Sequence, residues 1–185
     1  MKKQAGFTLI EIAIVLVIIG LLLGGVLKGQ EMITNSKIKR TSNDYNGVAA
    51  AIYSYLDRYS AMPGDDENAN GRWGLTDGNA NGQIDGAEQP DVWEHLRASG
   101  LVAGTGNVRP NHAFGGRINV RDNQGGGATG LNGTVICMAD MPGKIGEILD
   151  RQLDDGNPSA GEFRLTGGAV NYDQGADAIE VCKKL

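Results

Sequence analysis

Residues Gly6 to Leu27 read GFTLIEIAIVLVIIGLLLGGVL, an apolar run that carries one acid, Glu11, near its start and follows the short basic leader MKKQA. A charge held at mid-bilayer costs about 2.5–3.5 kcal/mol on insertion scales, so a retained carboxylate marks a functional position. The run supplies roughly the 20 apolar residues that cross a bilayer as a helix. A secretory signal peptide would need only about 7–15 apolar residues and an A-x-A-like cut site. No such site follows here; Lys28-Gly29-Gln30-Glu31 leads into further helical pattern. Lys2 and Lys3 ahead of the run favour a cytoplasmic N-terminus with the remainder outside.

The helical pattern continues beyond the apolar run. Tyr45, Val48, Ala49, Ile52, Tyr55, Leu56 and Tyr59 fall at i, i+3, i+4, i+7 spacing, while Asn43, Asp44, Asp57 and Arg58 take other faces. Met62-Pro63-Gly64 then stops it, because proline restricts the residue before it. The spacing predicts one helix from about Phe7 to about Tyr59. Gly20, Gly24 and Gly25 lie inside it and suit either close helix packing or a stretch that unwinds.

At Gly6-Phe7-Thr8-Leu9-Ile10-Glu11 the chain resembles the type IV prepilins and the pseudopilins of type II secretion. The resemblance implies cleavage by prepilin peptidase after Gly6 and N-methylation of the new terminal Phe7. It also implies that Glu11 pairs with the terminal ammonium of a neighbouring subunit during filament growth. The physics agrees, since a buried acid and a buried amine each relieve the other's desolvation. The implied organisation is a leader at 1–6, a transmembrane and filament-core helix at 7–27, its amphipathic continuation at 28–60, and a globular domain at 61–185. The implied fold class is α+β and pilin-like, a long N-terminal helix packed on a small antiparallel sheet. Its partners would be other pilin-like subunits, in a homo- or hetero-polymer, and an inner-membrane assembly platform. The subunit would wait in the bacterial inner membrane, its domain in the periplasm, and then enter a pilus or pseudopilus. Many relatives carry a helix-kinking proline about where Lys28 stands, so this chain departs from the pattern there.

The first forty residues carry about +4 of a total charge of −5, leaving the remainder near −9. Phosphate recognition needs clustered Lys and Arg, so nucleic acid is not the expected partner. Cations fit better. Asp77-Gly78-Asn79-Ala80-Asn81-Gly82-Gln83-Ile84-Asp85-Gly86-Ala87-Glu88 satisfies the twelve-residue calcium-loop pattern at each defined position. Asp77, Asn79 and Asn81 would offer side-chain oxygens, Gly82 the sharp turn and Gln83 its carbonyl. Asp85 would act directly or through water, Glu88 would close the site with two oxygens, and Ile84 would anchor the loop to the core. Ca²⁺ in a structural role is the expected cofactor; zinc lacks its Cys or His ligands here. The residues before Asp77 do not read as an entering helix, so an isolated EF-like loop is expected. Asp65-Asp66-Glu67-Asn68 and Asp154-Asp155-Gly156-Asn157-Pro158 read as polar turns in which the acids satisfy backbone groups, the later one also inviting a metal test.

Cys137 and Cys182 stand as a disulfide or as two buried thiols; an oxidising periplasm allows the bond, and the pilin resemblance favours it. Helices are expected at Pro90–Ser99 and Pro142–Leu153. Strands are expected at Thr134–Met138, Glu162–Thr166 and Ala178–Cys182, with an exposed loop at Gly104–Gly133. No catalytic constellation emerges. His95 and His112 are the only histidines, too few for a triad or zinc site, and His95 is expected on the surface of its helix. The G-x-G-x-x-G letters at Gly125–Gly130 lack a strand before and a helix after them. The expected function is therefore a filament subunit, and the missing proline and acidic loop lean toward a minor pilin or pseudopilin. Its rivals are a membrane-anchored calcium-binding or adhesive module that never polymerises, and an anchored periplasmic enzyme.

Overall fold

The computed structural model describes residues 8–123, 130–168, 171–173, 175–176 and 178–185. Gly6, Phe7 and most of the Gly125–Gly130 stretch lie outside them. Two compact units divide the chain, Met1–Lys37 and Ile38–Leu185. Helix α1, Leu9–Tyr59, belongs to both and runs unbroken through Gly20, Gly24 and Gly25. In the first unit its apolar residues from Leu9 to Leu27 stand exposed, and the helix is long and apolar enough to cross a membrane.

In the second unit α1 buries Ile38, Thr41, Tyr45, Val48, Ile52 and Tyr55, alternating steps of three and four that keep one stripe inward. Ser60 ends it in a left-handed conformation (φ 54°), its amide bonded to the Leu56 carbonyl at 2.8 Å. Next come the short helix α2, Ala69–Trp73, and helix α3, Gln89–Ala98, which has a proline in its first turn. Among the described residues four strands follow: β1 Ile118–Asn123, β2 Gly133–Met141, β3 Phe163–Leu165 and β4 Ile179–Lys184, with helix α4 at Gly143–Leu153 between β2 and β3. All neighbours in the order β1-β2-β4-β3 are antiparallel. This is the expected α+β, pilin-like layout.

One core joins the α1 stripe to Val92, Trp93 and Leu96 of α3, Ile145 and Leu149 of α4, and Val120, Ile136, Met138, Phe163 and Val181 of the sheet. The Tyr45 hydroxyl donates to the Val181 carbonyl at 3.1 Å, and its ring meets Phe163 edge-on at 5.6 Å. Val135, Cys137, Cys182 and Leu131 form a second, smaller cluster. Central β2 is thus buried on both faces over Val135–Met138. Cys137 and Cys182 are register partners on β2 and β4 and are joined as a disulfide.

Two elements depart from the sequence reading. Strand β1 lies inside the stretch expected as loop. Pairing brings Ile118 opposite Met138 and Val120 opposite Ile136, so two apolar residues suffice for a strand whose signal the flanking glycines and asparagines dilute. Helix α2 forms where no entering helix was expected. It is one turn of Ala-Asn-Gly-Arg-Trp, its start held by Asp66, which accepts the Asn68 amide, and by Asp77, which accepts the Asn70 amide.

Candidate functional site

Glu11 sits in the first turn of α1. Its Oε2 accepts both the Thr8 amide (2.7 Å) and the Thr8 hydroxyl (2.8 Å), while the Glu11 amide reaches back to Thr8 Oγ1 at 3.3 Å. The pair is a reciprocal capping box, and T-x-x-E before an apolar run was its overlooked signal. Oε1 accepts no hydrogen bond among the described residues. The carboxylate is therefore held in place through Oε2. Gly6 and Phe7, the expected cleavage and methylation positions, precede the described residues.

The acidic loop is built around two layers of backbone capture. Within it, Glu88 Oε1 accepts the Asn79 amide and Oε2 the Asp85 amide, each at 3.1 Å. Asn79 Nδ2 donates to Asp85 Oδ2 at 3.3 Å, so Asn79, Asp85 and Glu88 are brought together. Asn81 turns its side-chain oxygen onto the Gln83 amide at 2.8 Å. Gly82 supplies the left-handed turn (φ 81°) at position six. Asp77 points elsewhere, its Oδ1 accepting the Asn70 amide of α2 at 2.6 Å. Ile84 is fully buried in the core, as its position implied.

From outside the pattern, Asp65 accepts the Asn81 amide (3.0 Å) and the Gly82 amide (2.7 Å). Asp122 of β1 accepts the Ile84 amide at 2.7 Å and returns its own amide to the Ile84 carbonyl at 3.0 Å. Asp66 is fully buried. It accepts the Tyr55 hydroxyl at 2.7 Å, the Asn68 amide at 2.9 Å, and the Arg72 guanidinium. Burial pushes its carboxyl up, but those three donors outweigh it and hold the group below the usual range. The Tyr55 phenol moves the other way, raised by burial and by donating to Asp66. The turn 65–68 thus satisfies backbone groups, as its composition implied.

His95 corrects the sequence reading, because it is buried rather than on the surface. It lies three residues after Val92, on the apolar face of α3. Its Nδ1 accepts the Gly64 amide at 3.0 Å, and its Nε2 faces the Thr76 carbonyl at 3.0 Å. One acceptor and one donor on the ring fit the neutral imidazole with its proton on Nε2. The ring ties together the two ends of the segment from Gly64 to Thr76.

Among the described residues, the acids whose oxygens gather in a group of three within 4.8 Å are Asp150, Asp154 and Asp155. They end α4 and open the later acidic turn. Buried Asp150 accepts Tyr172 Oη at 2.9 Å and the Gly156 amide at 3.2 Å. Burial raises its carboxyl, the two hydrogen bonds pull it down, Asp155 and Asp154 push it up, and the net direction is up. Asp154 Oδ2 is taken by the amides of Glu162 and Phe163, fixing the start of β3. On the sheet, Arg121 of β1 reaches across β2 to grip both oxygens of Glu180 on β4, at 3.1 and 2.9 Å.

Residues 1–27 match the family model described as the prokaryotic N-terminal methylation motif. No curated protein and no solved structure matches the chain. With that motif leading a long apolar helix and a small antiparallel sheet, the chain is pilin-like. The match supports a likeness to the type IV pilins and pseudopilins over residues 1–27. The motif implies processing by prepilin peptidase and assembly into filaments, and the apolar helix fits membrane anchoring before assembly.

Proposed function

We propose that the chain is a structural subunit of a type IV pilus-like or pseudopilus filament and not an enzyme. Prepilin peptidase cuts after Gly6, Phe7 is N-methylated, and the apolar helix waits in the inner membrane with the domain in the periplasm. Glu11 then receives the terminal ammonium of a neighbouring subunit. The observation that carries this reading is the methylation motif running straight into the apolar helix that presents Glu11. Mass spectrometry of the mature N-terminus tests it: methylated Phe7 is expected. An intact Met1 on a chain that stays single in the envelope overturns it in favour of a membrane-anchored calcium-binding or adhesive module. Glu11→Ala should insert and be cleaved normally but yield few fibres, counted by electron microscopy. Wild-type fibre numbers would remove the role given to the carboxylate.

The second part of the reading is a structural Ca²⁺ in the 77–88 loop. It is supported by the twelve-residue pattern and by the meeting of Asn79, Asp85 and Glu88. The residues fit such an ion in part, with Asp77 drawn off to α2. Extracellular modules of this kind bind with Kd of about 10⁻⁴–10⁻³ M. About 10 mM calcium should then stabilise the domain by about 1.4–2.7 kcal/mol. Asp85→Ala with Glu88→Ala should abolish that rise in melting temperature. A melt unmoved by calcium or by chelator discards the ion. A rise kept in that double variant but lost in Asp154→Ala with Asp155→Ala assigns it to the later acidic turn.

A further inference from the structure

We infer that Asp65, which lies outside the calcium-loop pattern, is the positioning residue that holds the loop tip in its binding shape before any cation arrives. Asp65 is 4% exposed, and its two oxygens accept two consecutive amides, those of Asn81 and Gly82, at 3.0 and 2.7 Å, the Asn81 amide being shared with Asn79 Oδ1 at 3.0 Å. These are the fifth and sixth positions of the pattern, where the chain reverses. A buried carboxylate with two amide donors is well satisfied; stripped of either it becomes costly, so the contact persists without a metal.

The surroundings enforce the same geometry. The loop's second residue lies directly on the Asp65 backbone: a Cβ at Gly78 would stand 2.4 Å from Asp65 Cα. The Gly78 amide donates to the Asp66 carbonyl at 2.9 Å. Beyond the tip, Ile84 is bonded in both directions to Asp122 on β1. The tip is therefore gripped at its base by residues 65–66 and past its turn by the sheet. Asp77, the acid that opens the pattern, is bonded to α2 instead. The loop has borrowed an acid from the preceding turn to fold its tip. Asp65 acts on a cation through this backbone and is not assigned as a ligand.

Amide hydrogen exchange on the full-length protein in detergent micelles, with chelator present, decides the clamp itself. The Asn81, Gly82 and Ile84 amides should be protected without calcium. In Asp65→Ala the Gly82 amide should exchange at least about tenfold faster and the Asn81 amide, which also donates to Asn79 Oδ1, by less, while Ile84 and the core amide of Ile136 keep their protection. Rapid exchange of Asn81 and Gly82 in the metal-free wild type overturns the inference, and that measurement needs no variant to fold. The second arm rests on the calcium reading above. Titrated with Ca²⁺ in a calorimeter, Asp65→Ala should bind about 10–100-fold more weakly than wild type, the usual cost of losing support behind a metal site. Equal affinities overturn the positioning role. A wild type that binds no calcium removes the calcium reading, and the exchange result then stands or falls alone.

Discussion

At the scale of single residues, the second unit is organised by acids whose partners are backbone amides or buried side chains. Asp66 is the clearest case, because it joins α1 through Tyr55, the following turn through Asn68 and α2 through Arg72. Asp66→Ala should cost about 3 kcal/mol at neutral pH, from lost charged hydrogen bonds and an orphaned Tyr55 hydroxyl. Calorimetric melting checks this. The pH dependence has a definite sign. The folded Asp66 carboxyl lies below its unfolded value, so its contribution is present in full above about pH 4 and is lost as pH falls through the folded value. Asp66→Asn should therefore begin less stable at pH 7 and lose less between pH 4 and pH 2 than the wild type. An unchanged acid limb would remove this account of Asp66. None of this was legible from the letters Asp65-Asp66-Glu67-Asn68 beyond a polar turn. The partners lie up to seventeen residues away, and no local pattern names them. His95 was hidden for the same reason, its burial made tolerable by Gly64 and Thr76.

At the scale of elements, legibility followed hydrophobic period. The α1 stripe, α4, β2, β3 and β4 carry enough regularly spaced apolar residues to be read directly, and each formed within a few residues of expectation. Strand β1 and helix α2 carry too few. Their conformations come from tertiary partners: β2 pairs with β1, and Asp77 satisfies an amide at the start of α2. The calcium-loop pattern was legible in full, but its packing was not. That packing makes a sharp contrast between two glycines of one loop. A Cβ at Gly78 would stand 2.3 Å from the Asp65 carbonyl carbon, whereas none of the surrounding atoms lies within 4 Å of one at Gly86. Gly78→Ala should destabilise by about 1–3 kcal/mol through forced displacement of the 65–66 backbone. Gly86→Ala should stay within about 0.5 kcal/mol. Equal melting temperatures for the two variants would mean that the 65–66 turn yields freely, and the close approach would carry no weight.

At the scale of the whole molecule, the two units solve different solvation problems. The apolar residues of Leu9–Leu27 are exposed in the isolated chain and need lipid or other subunits. The unit Ile38–Leu185 carries its own core, and its last third is closed by the disulfide between Cys137 and Cys182. That bond spans 45 residues and encloses α4 and β3. It joins β2 to β4, the two inner strands, so it ties off the sheet at its centre rather than at a fraying edge. In the chain-entropy model a loop of this length contributes about 4 kcal/mol by restricting the unfolded chain. Replacing both cysteines with alanine should thus lower the melting temperature by on the order of 10 °C. The native hydrogen bonds of β2 with β1 do not depend on the bond, so hydrogen exchange should rise first in α4, β3 and β4 while β1 stays protected. Uniform loss of protection across all four strands would mean that the sheet opens as one unit. The disulfide would then act on global unfolding alone, with no separate hold on the C-terminal third.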